Sequence, residues 1–152
     1  ETTTQILHDL LSQMGGGLLL PLLDKYSKGV QPDAEIQDDT LTNYASMLNK
    51  EDGKIDWALS SIEIDHQIRA LNPWPGTYSL NSEGNILKVK TAQTCEEKST
   101  QPIGTILNKN GHIVCGNETV ISLVCVQPPN KQAMDFASAL NGGYISVGDV
   151  LQ

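Results

Sequence analysis

The sequence has few cysteines, few basic side chains and no long apolar run. Its three cysteines, Cys95, Cys115 and Cys125, form no C-x-x-C pair and have no patterned histidine partner, so neither a zinc site nor a disulfide framework is indicated. No apolar run approaches the ~20 residues that span a bilayer. The opening Glu1-Thr2-Thr3 lacks both an initiator methionine and the features of a signal peptide. These absences predict a cytoplasmic piece of a longer protein, with reduced, buried thiols and no membrane partner.

The shortage of basic residues argues against a nucleic-acid partner, because phosphate binding usually needs a basic surface. Ten Lys and Arg residues face 18 Asp and Glu residues, which gives a net charge of −8 at pH 7. The acid excess lies mostly in residues 1–53, which hold three lysines and nine acids. Residues 54–152 hold seven basic and nine acidic residues, a net of only −2. The charge distribution therefore softens the case against nucleic acid for the later part of the chain.

The first 28 residues predict two helices separated by a glycine run. Apolar residues recur with helical spacing over residues 4–14, behind a threonine that can cap the first turn. Gly15-Gly16-Gly17 is expected to end this helix, and residues 18–26 form a second short helix that contains Pro21. Two short helices are too few to bury the apolar faces that both of them carry. We therefore expect residues 1–28 to be the end of a preceding domain. Residues 29–53 are polar and acidic, which is the composition of a linker.

The stretch after the linker predicts a helix that ends in a rigid turn. Ser60 and Glu63 form a capping box, and apolar residues follow at i, i+4 and i+7. Asp65 and Arg69 are spaced as an ion pair on that helix. The helix is expected to end at Asn72-Pro73-Trp74-Pro75-Gly76, where two prolines and a glycine prevent its continuation.

From Thr77 onward the period of the sequence changes to that of short strands separated by Asn- and Gly-rich turns. The β-type runs are 77–80, 86–91, 102–107, 112–115 and 119–126. Five or six short strands predict a mostly β domain, a small OB-like Greek-key barrel with a leading helix, because closure removes exposed sheet edges. A last short helix is expected around residues 133–140.

Two features of this domain suggest nucleic-acid binding, and each has a plainer alternative. Lys88 and Lys90 alternate with Leu87 and Val89, so both lysines leave one strand face together. Spacing alone favours an ordinary solvated strand face over a phosphate-binding one. Trp74, held between two prolines, is expected to be a core plug between helix and barrel more than a base-stacking platform, because large aromatic residues dominate cores.

The residues give no catalytic site. The Gly-rich run after Met14 lacks the Lys-Ser/Thr pair of a phosphate loop and follows a helix instead of a strand. His8, His66 and His112 lie tens of residues apart without an acid or cysteine at ligand spacing. We therefore predict no catalytic, cofactor-binding or metal-binding residue within this chain.

Three stretches of the sequence closely resemble methionyl-tRNA formyltransferase. They are residues 49–57 (Asn-Lys-Glu-Asp-Gly-Lys-Ile-Asp-Trp), residues 68–76 (Ile-Arg-Ala-Leu-Asn-Pro-Trp-Pro-Gly) and residues 127–134, from Gln-Pro to Lys-Gln-Ala-Met. The flanks also look similar, so the resemblance covers essentially the whole chain. The combination of Ile-Asp-Trp with Ile-Arg-Ala-x-Asn-Pro-Trp-Pro is highly specific.

The resemblance implies a parent enzyme that transfers formyl from 10-formyltetrahydrofolate, its cosubstrate, to the methionyl amino group of initiator tRNA. Catalysis and folate binding would belong to a Rossmann-like N-terminal domain that is missing here. This chain would comprise residues 1–28 as the last helices of that domain, residues 29–53 as the linker, and residues 54–152 as an OB-like domain that docks the tRNA. The expected state is a cytoplasmic monomer.

The resemblance also implies a set of phosphate contacts on the OB-like domain: Arg69, Lys88, Lys90, Lys109 and Lys131. Two rival interpretations stay open. One is the similar domain of a sugar-nucleotide formyltransferase or formyltetrahydrofolate hydrolase, which the Asn-Pro-Trp-Pro motif disfavours. The other is a purely structural barrel that touches no nucleic acid.

Overall fold

The computed structural model describes residues 2–152, and its contacts divide the chain into two units between Met47 and Leu48. The first unit contains helix α1, Thr4–Ser27, and a single 3₁₀ turn, Asp39–Leu41. The second unit contains two further helices, five strands and the hydrophobic core.

Helix α1 is one continuous helix, and the prediction of two helices is wrong. Thr3 caps its first turn by accepting a hydrogen bond from the Ile6 amide, as expected. The chain continues in helical conformation through Gly15-Gly16-Gly17 and past Pro21. Each glycine lowers the stability of the helix by about 1 kcal/mol relative to alanine, but glycine adopts helical backbone angles without steric conflict. A proline removes only one backbone donor. These costs weaken a helix without ending it.

Helix α1 is long and apolar, although it contains no continuous apolar run of about 20 residues. By length and composition, its 24 residues are apolar enough to cross a membrane, and none of them is buried. Length and composition are equally typical of a helix that packs inside a soluble domain. The helix thus has an apolar surface that the first unit leaves uncovered.

Helix α2, Ser61–Leu71, is the first α-helix of the second unit and follows the sequence prediction. Both halves of the Ser60 and Glu63 capping box are present, since each side chain accepts a hydrogen bond from the backbone amide of the other residue. The hydrogen bonds from Ser60 lower the pKa of the Glu63 carboxyl. Arg69 Nε donates to Asp65 at 2.8 Å. The amide of Ser61 donates to Thr119 Oγ1 at 2.9 Å, which fastens the first turn of the helix to the sheet.

The sheet has five antiparallel strands, and the prediction of a strand-rich domain is confirmed. Four of them run in the order β1-β2-β4-β3, and β5 also pairs with β4. Their bounds are Thr77–Leu80 for β1, Ile86–Lys98 for β2, His112–Val114 for β3, Thr119–Gln127 for β4 and Met134–Asp135 for β5. The pairing leaves β1 and β3 at the two ends of the recorded strand order, so closure into an OB-like Greek-key barrel stays a prediction.

Three local predictions for the sheet need correction. Residues 102–107 form no strand and contribute only two isolated bridges, at Thr105 and Ile106. Strand β2 extends seven residues beyond the predicted end, because β4 pairs along it through several register shifts. The last helix, α3, spans Phe136–Asn141, since Met134 and Asp135 pair with β4 and Asp135 caps the helix.

The core lies between α2, α3 and the inner face of the sheet. Its members come from both helices and from all strands except β1 and β5. Strand β2 shows the expected alternation, because Leu87 and Val89 are buried while Lys88 and Lys90 leave the opposite face. Trp57 also belongs to this core, with 4% of its surface exposed.

All three cysteines are free thiols, but only Cys115 is buried, so the expectation of buried thiols is correct for one of three. Burial raises the pKa of the Cys115 thiol to about 12. Cys95 and Cys125 are partly exposed.

We therefore expect Cys115 to resist alkylation in the folded chain. Because only the thiolate reacts, a pKa of about 12 leaves about one thiol in 10⁴ ionised at pH 8. Mass spectrometry after iodoacetamide treatment at pH 8 should find modification at Cys125 and none at Cys115, with all three cysteines modified in urea. Equal modification of Cys115 and Cys125 in the native chain would contradict the buried position.

Candidate functional site

A cavity of about 520 Å³ on the second unit brings together three lysines and a tryptophan. Three segments build it: the 3₁₀ turn at Glu51–Gly53, the loop after α2, and the paired strands β1 and β2. We call it the Trp74 cavity. It is lined by Lys50, Glu51, Pro73, Trp74, Pro75, Gly76, Thr77, Tyr78, Ile86, Lys88 and Lys90.

The strand pair places two of the lysines on one wall of the cavity. Lys88 lies opposite Tyr78 in the register of β1 and β2, so the ammonium group and the phenol ring share a face. Lys90 follows two residues later on the same face. Burial of Leu87 and Val89 on the other face holds the strand in this register.

The loop that carries Trp74 is anchored by the side chain of Asn72. Its Nδ2 donates to the Ile68 carbonyl at 2.8 Å, to Thr77 Oγ1 at 3.2 Å and to the Val89 carbonyl at 3.3 Å. Both X-Pro bonds of the loop, 72–73 and 74–75, are cis. The loop is therefore tied to α2, β1 and β2 at once.

Trp74 lies outside the core, and the interpretation of this residue as a core plug is wrong. The residue is 60% exposed, whereas Trp57 is 4% exposed. Trp57 Nε1 donates to Ser79 Oγ at 2.9 Å, so the indole that fills the core also has its polar atom satisfied. Trp57 and the hydrogen bonds of Asn72 already hold α2, β1 and β2 together, so the indole of Trp74 is left at the surface.

Lys50 is a site residue that the sequence reasoning missed, because residues 29–53 were interpreted as linker. The turn after it packs tightly against α2 and the loop that follows α2. Gln67 Nε2 donates to the carbonyls of Asp52 and Lys54, each at 3.0 Å. A Cβ atom on Gly53 would lie 2.1 Å from the Gly76 carbonyl oxygen, so only glycine allows this approach. The available signal was Asn-Lys-Glu-Asp-Gly, which already belongs to the family resemblance.

The other predicted phosphate contacts lie elsewhere. Arg69 is partly buried and paired with Asp65. Lys109 is exposed on the turn before β3, and the Lys131 ammonium lies 5.7 Å from the centroid of the Tyr144 ring. Of the five predicted residues, the structure brings only Lys88 and Lys90 together.

The charges of the Trp74 cavity differ in sign from those of the whole chain. Its lining carries Lys50, Lys88 and Lys90 against the single carboxylate of Glu51. The chain as a whole has a net charge of −8. A cavity with excess positive charge and an exposed aromatic ring can hold an anion beside a flat apolar group.

A second cluster joins Cys95, His112 and Glu97 on the sheet. The Glu97 carboxylate is hydrogen-bonded to Nδ1 of His112, and Nε2 of the same ring lies 4.0 Å from Cys95 Sγ. Burial and the Glu97 charge raise the pKa of the Cys95 thiol, which keeps it protonated and slow to react. Among residues 2–152, no group of three or more His, Cys, Asp or Glu side chains is placed to hold a metal ion.

Residues 47–143 match the formyl transferase C-terminal domain family, so the matched segment covers most of the second unit and includes the whole Trp74 cavity. The chain belongs to this family. Membership indicates a parent protein of the formyltransferase class, whose C-terminal domain this chain contains.

Gly53→Ala is expected to destabilise the second unit by about 1–3 kcal/mol, the usual cost of forcing an atom into a packed site. The obstacle is a backbone oxygen at 2.1 Å, so the steric cost outweighs the ~0.4–1 kcal/mol that Gly-to-Ala normally contributes through the unfolded chain. Urea unfolding followed by tryptophan fluorescence measures the change. Gly16→Ala, with nothing within 4 Å of the added atom, is the control. An unchanged midpoint for Gly53→Ala would contradict the close contact.

The two tryptophans should differ sharply in their contribution to stability. Trp57→Ala removes a buried ring and is expected to cost about 3–5 kcal/mol. Trp74→Ala removes a largely exposed ring and is expected to cost less than about 1 kcal/mol. Each variant lacks one of the two fluorophores, so urea unfolding is followed by circular dichroism for both. A similar loss for both variants would restore Trp74 to the core.

Proposed function

We propose that this chain is the C-terminal part of a methionyl-tRNA formyltransferase and that its second unit holds the initiator tRNA beside the catalytic domain. The observation that carries the proposal is the Trp74 cavity, which Lys50, Lys88 and Lys90 line together with an exposed indole. Family membership supports the enzyme class. The resemblance of residues 49–57 and 68–76 to methionyl-tRNA formyltransferase supports the choice of tRNA, because both stretches supply walls of the cavity.

On this proposal the chemistry and the positioning are divided between two parts of the enzyme. The methionyl amine attacks the formyl carbon of 10-formyltetrahydrofolate, and tetrahydrofolate leaves. That step needs a deprotonated amine and a stabilised oxyanion, which the catalytic domain would provide. The second unit would hold the remainder of the tRNA so that the amine stays within reach of the formyl group.

The first unit fits the same proposal. Helix α1 would be the end of the catalytic domain, where its exposed apolar side chains pack against elements that precede it. The protein would then work as a cytoplasmic monomer with initiator tRNA as its partner and 10-formyltetrahydrofolate as its cosubstrate.

The substrate is tested by a formylation assay with the enzyme that contains this chain. Charged initiator tRNA and a nucleotide sugar are offered separately with 10-formyltetrahydrofolate. The proposal expects formylation of the methionyl amine alone. Formylation of the sugar nucleotide, or hydrolysis of the folate without an acceptor, would overturn it.

Lys88→Ala combined with Lys90→Ala is expected to raise the KM for charged tRNA while kcat at saturation changes much less. Groups that bind substrate and transition state equally affect KM in this way. The slope of log affinity against log salt should also fall by roughly 0.7–0.9 for each lysine removed, since each contact releases counterions.

Lys98→Ala is the matched control, because Lys98 is an exposed lysine of the same strand that does not line the Trp74 cavity. It should leave both the KM and the salt slope unchanged. If Lys98→Ala and the double variant have equal effects, the lysines act only through the general charge of the domain. If neither variant has an effect, the second unit is a purely structural domain.

A further inference from the structure

We infer that the Trp74 cavity takes an unpaired nucleotide, with its base stacked on the Trp74 indole and its phosphates held by the surrounding lysines. The inference rests on the proposed function, because it names the part of the nucleic acid that the same site recognises. It adds a requirement that charge alone does not impose, which is that the nucleotide must be single-stranded.

The apolar surface of the cavity has the character of a stacking platform. Trp74 is 60% exposed, and Ile86, on strand β2, is 48% exposed. The ring of Tyr78 adds a second aromatic wall to the same cavity. Every base has a π-face, so an exposed indole attracts bases with little regard to sequence.

The lysines lie where phosphates on either side of a stacked base can reach them. Lys88 and Lys90 are two residues apart on one strand face, which places their Cα atoms about 6.6 Å apart. Lys50 reaches the cavity from a different segment, the start of the 3₁₀ turn. The carboxylate of Glu51 opposes a phosphate and favours a hydrogen-bond donor, such as an amino group of the base.

The size of the cavity and the stacking of duplexes together decide which form of nucleic acid fits. At about 520 Å³ the cavity lies within the range of small-molecule sites and is large enough for one nucleotide. Inside a duplex each base face is covered by its neighbours, so an indole has no free face to stack on. Away from the ends of a duplex, only a loop, an overhang or an extruded nucleotide offers one.

The loop holds the indole in place before any nucleotide arrives. Asn72 bonds three separate elements, and the Gly76 amide donates to the Leu71 carbonyl at 2.9 Å. The rings of Pro73 and Pro75 restrict the backbone on either side of Trp74. A preformed platform avoids most of the ordering cost of binding, which strengthens a weak contact.

The experiment compares a single-stranded RNA of about ten nucleotides, a length within the range of single-strand sites, with a hairpin of the same composition that has a minimal loop. The full chain is titrated with each RNA while tryptophan fluorescence is recorded. Stacking should quench Trp74 with the single strand and not with the hairpin stem, while the buried Trp57 supplies a constant background.

Variants at the platform separate stacking from charge. Trp74→Leu should weaken single-strand binding by about 5- to 150-fold, the range for losing one stacked base, while the salt slope stays the same. Trp74→Phe should recover most of the affinity, because it restores an aromatic face. Lys88→Ala with Lys90→Ala should reduce the salt slope for both RNAs.

The outcomes distinguish this inference from the proposed function. Binding of the single strand without quenching, or an equal loss of affinity for both RNAs in Trp74→Leu, overturns the stacked nucleotide. If binding still depends on the lysines in that case, the tRNA-docking role stands. If neither RNA shows lysine-dependent binding and formylation of tRNA is also insensitive to these lysines, both proposals fail. Quenching in the unmodified chain needs no variant, so a misfolded substitution does not obscure the result.

Discussion

The side-chain amide of Asn72 joins the elements on which the Trp74 cavity depends. Its two N–H groups serve three oxygens, one each on α2, β1 and β2. Thr77 Oγ1 donates in turn to the same Val89 carbonyl at 2.8 Å, so the bonds form a small buried network. The Asn72 network fixes where the helix ends and where the sheet starts. The short loop between them is therefore held in one position, with Trp74 at the surface.

A second constraint, the approach of Gly53 to Gly76, completes the cavity from the other side. Gln67 holds the preceding turn by two backbone carbonyls, and Ile55 donates its amide to the Tyr78 carbonyl at 2.8 Å. These contacts carry Lys50 toward the wall formed by β2. Positive charge is thereby concentrated locally on a chain whose net charge is −8. Binding of an anion depends on this local field more than on the total, because screening limits the reach of distant acids to about 10 Å at 0.1 M salt.

The same geometry explains why the two tryptophans have opposite roles. Trp57 enters the core beside β1 and meets Ser79, 22 residues later in the chain. Trp74 lies between prolines in a loop that Asn72 already anchors, so the loop is held in place without burial of this ring. An aromatic residue in a rigid motif is therefore a poor guide to burial until the neighbouring elements are placed. The family match at residues 47–143 covers both tryptophans and indicates the formyltransferase class, while the nucleic-acid partner is our proposal and rests on the exposed ring and the lysines.

Local pattern by itself determined much of the second unit. The capping box of α2, the start and end of β1, and the alternation of Leu87 and Val89 with the two lysines follow from contacts within a few residues. Tertiary structure decided the rest. It extended β2 along β4 and set Lys50 in the same cavity as Lys88. Helix caps and strand alternation depend on neighbours in sequence, whereas a cavity depends on which distant segments cross, and that is settled only when the core packs.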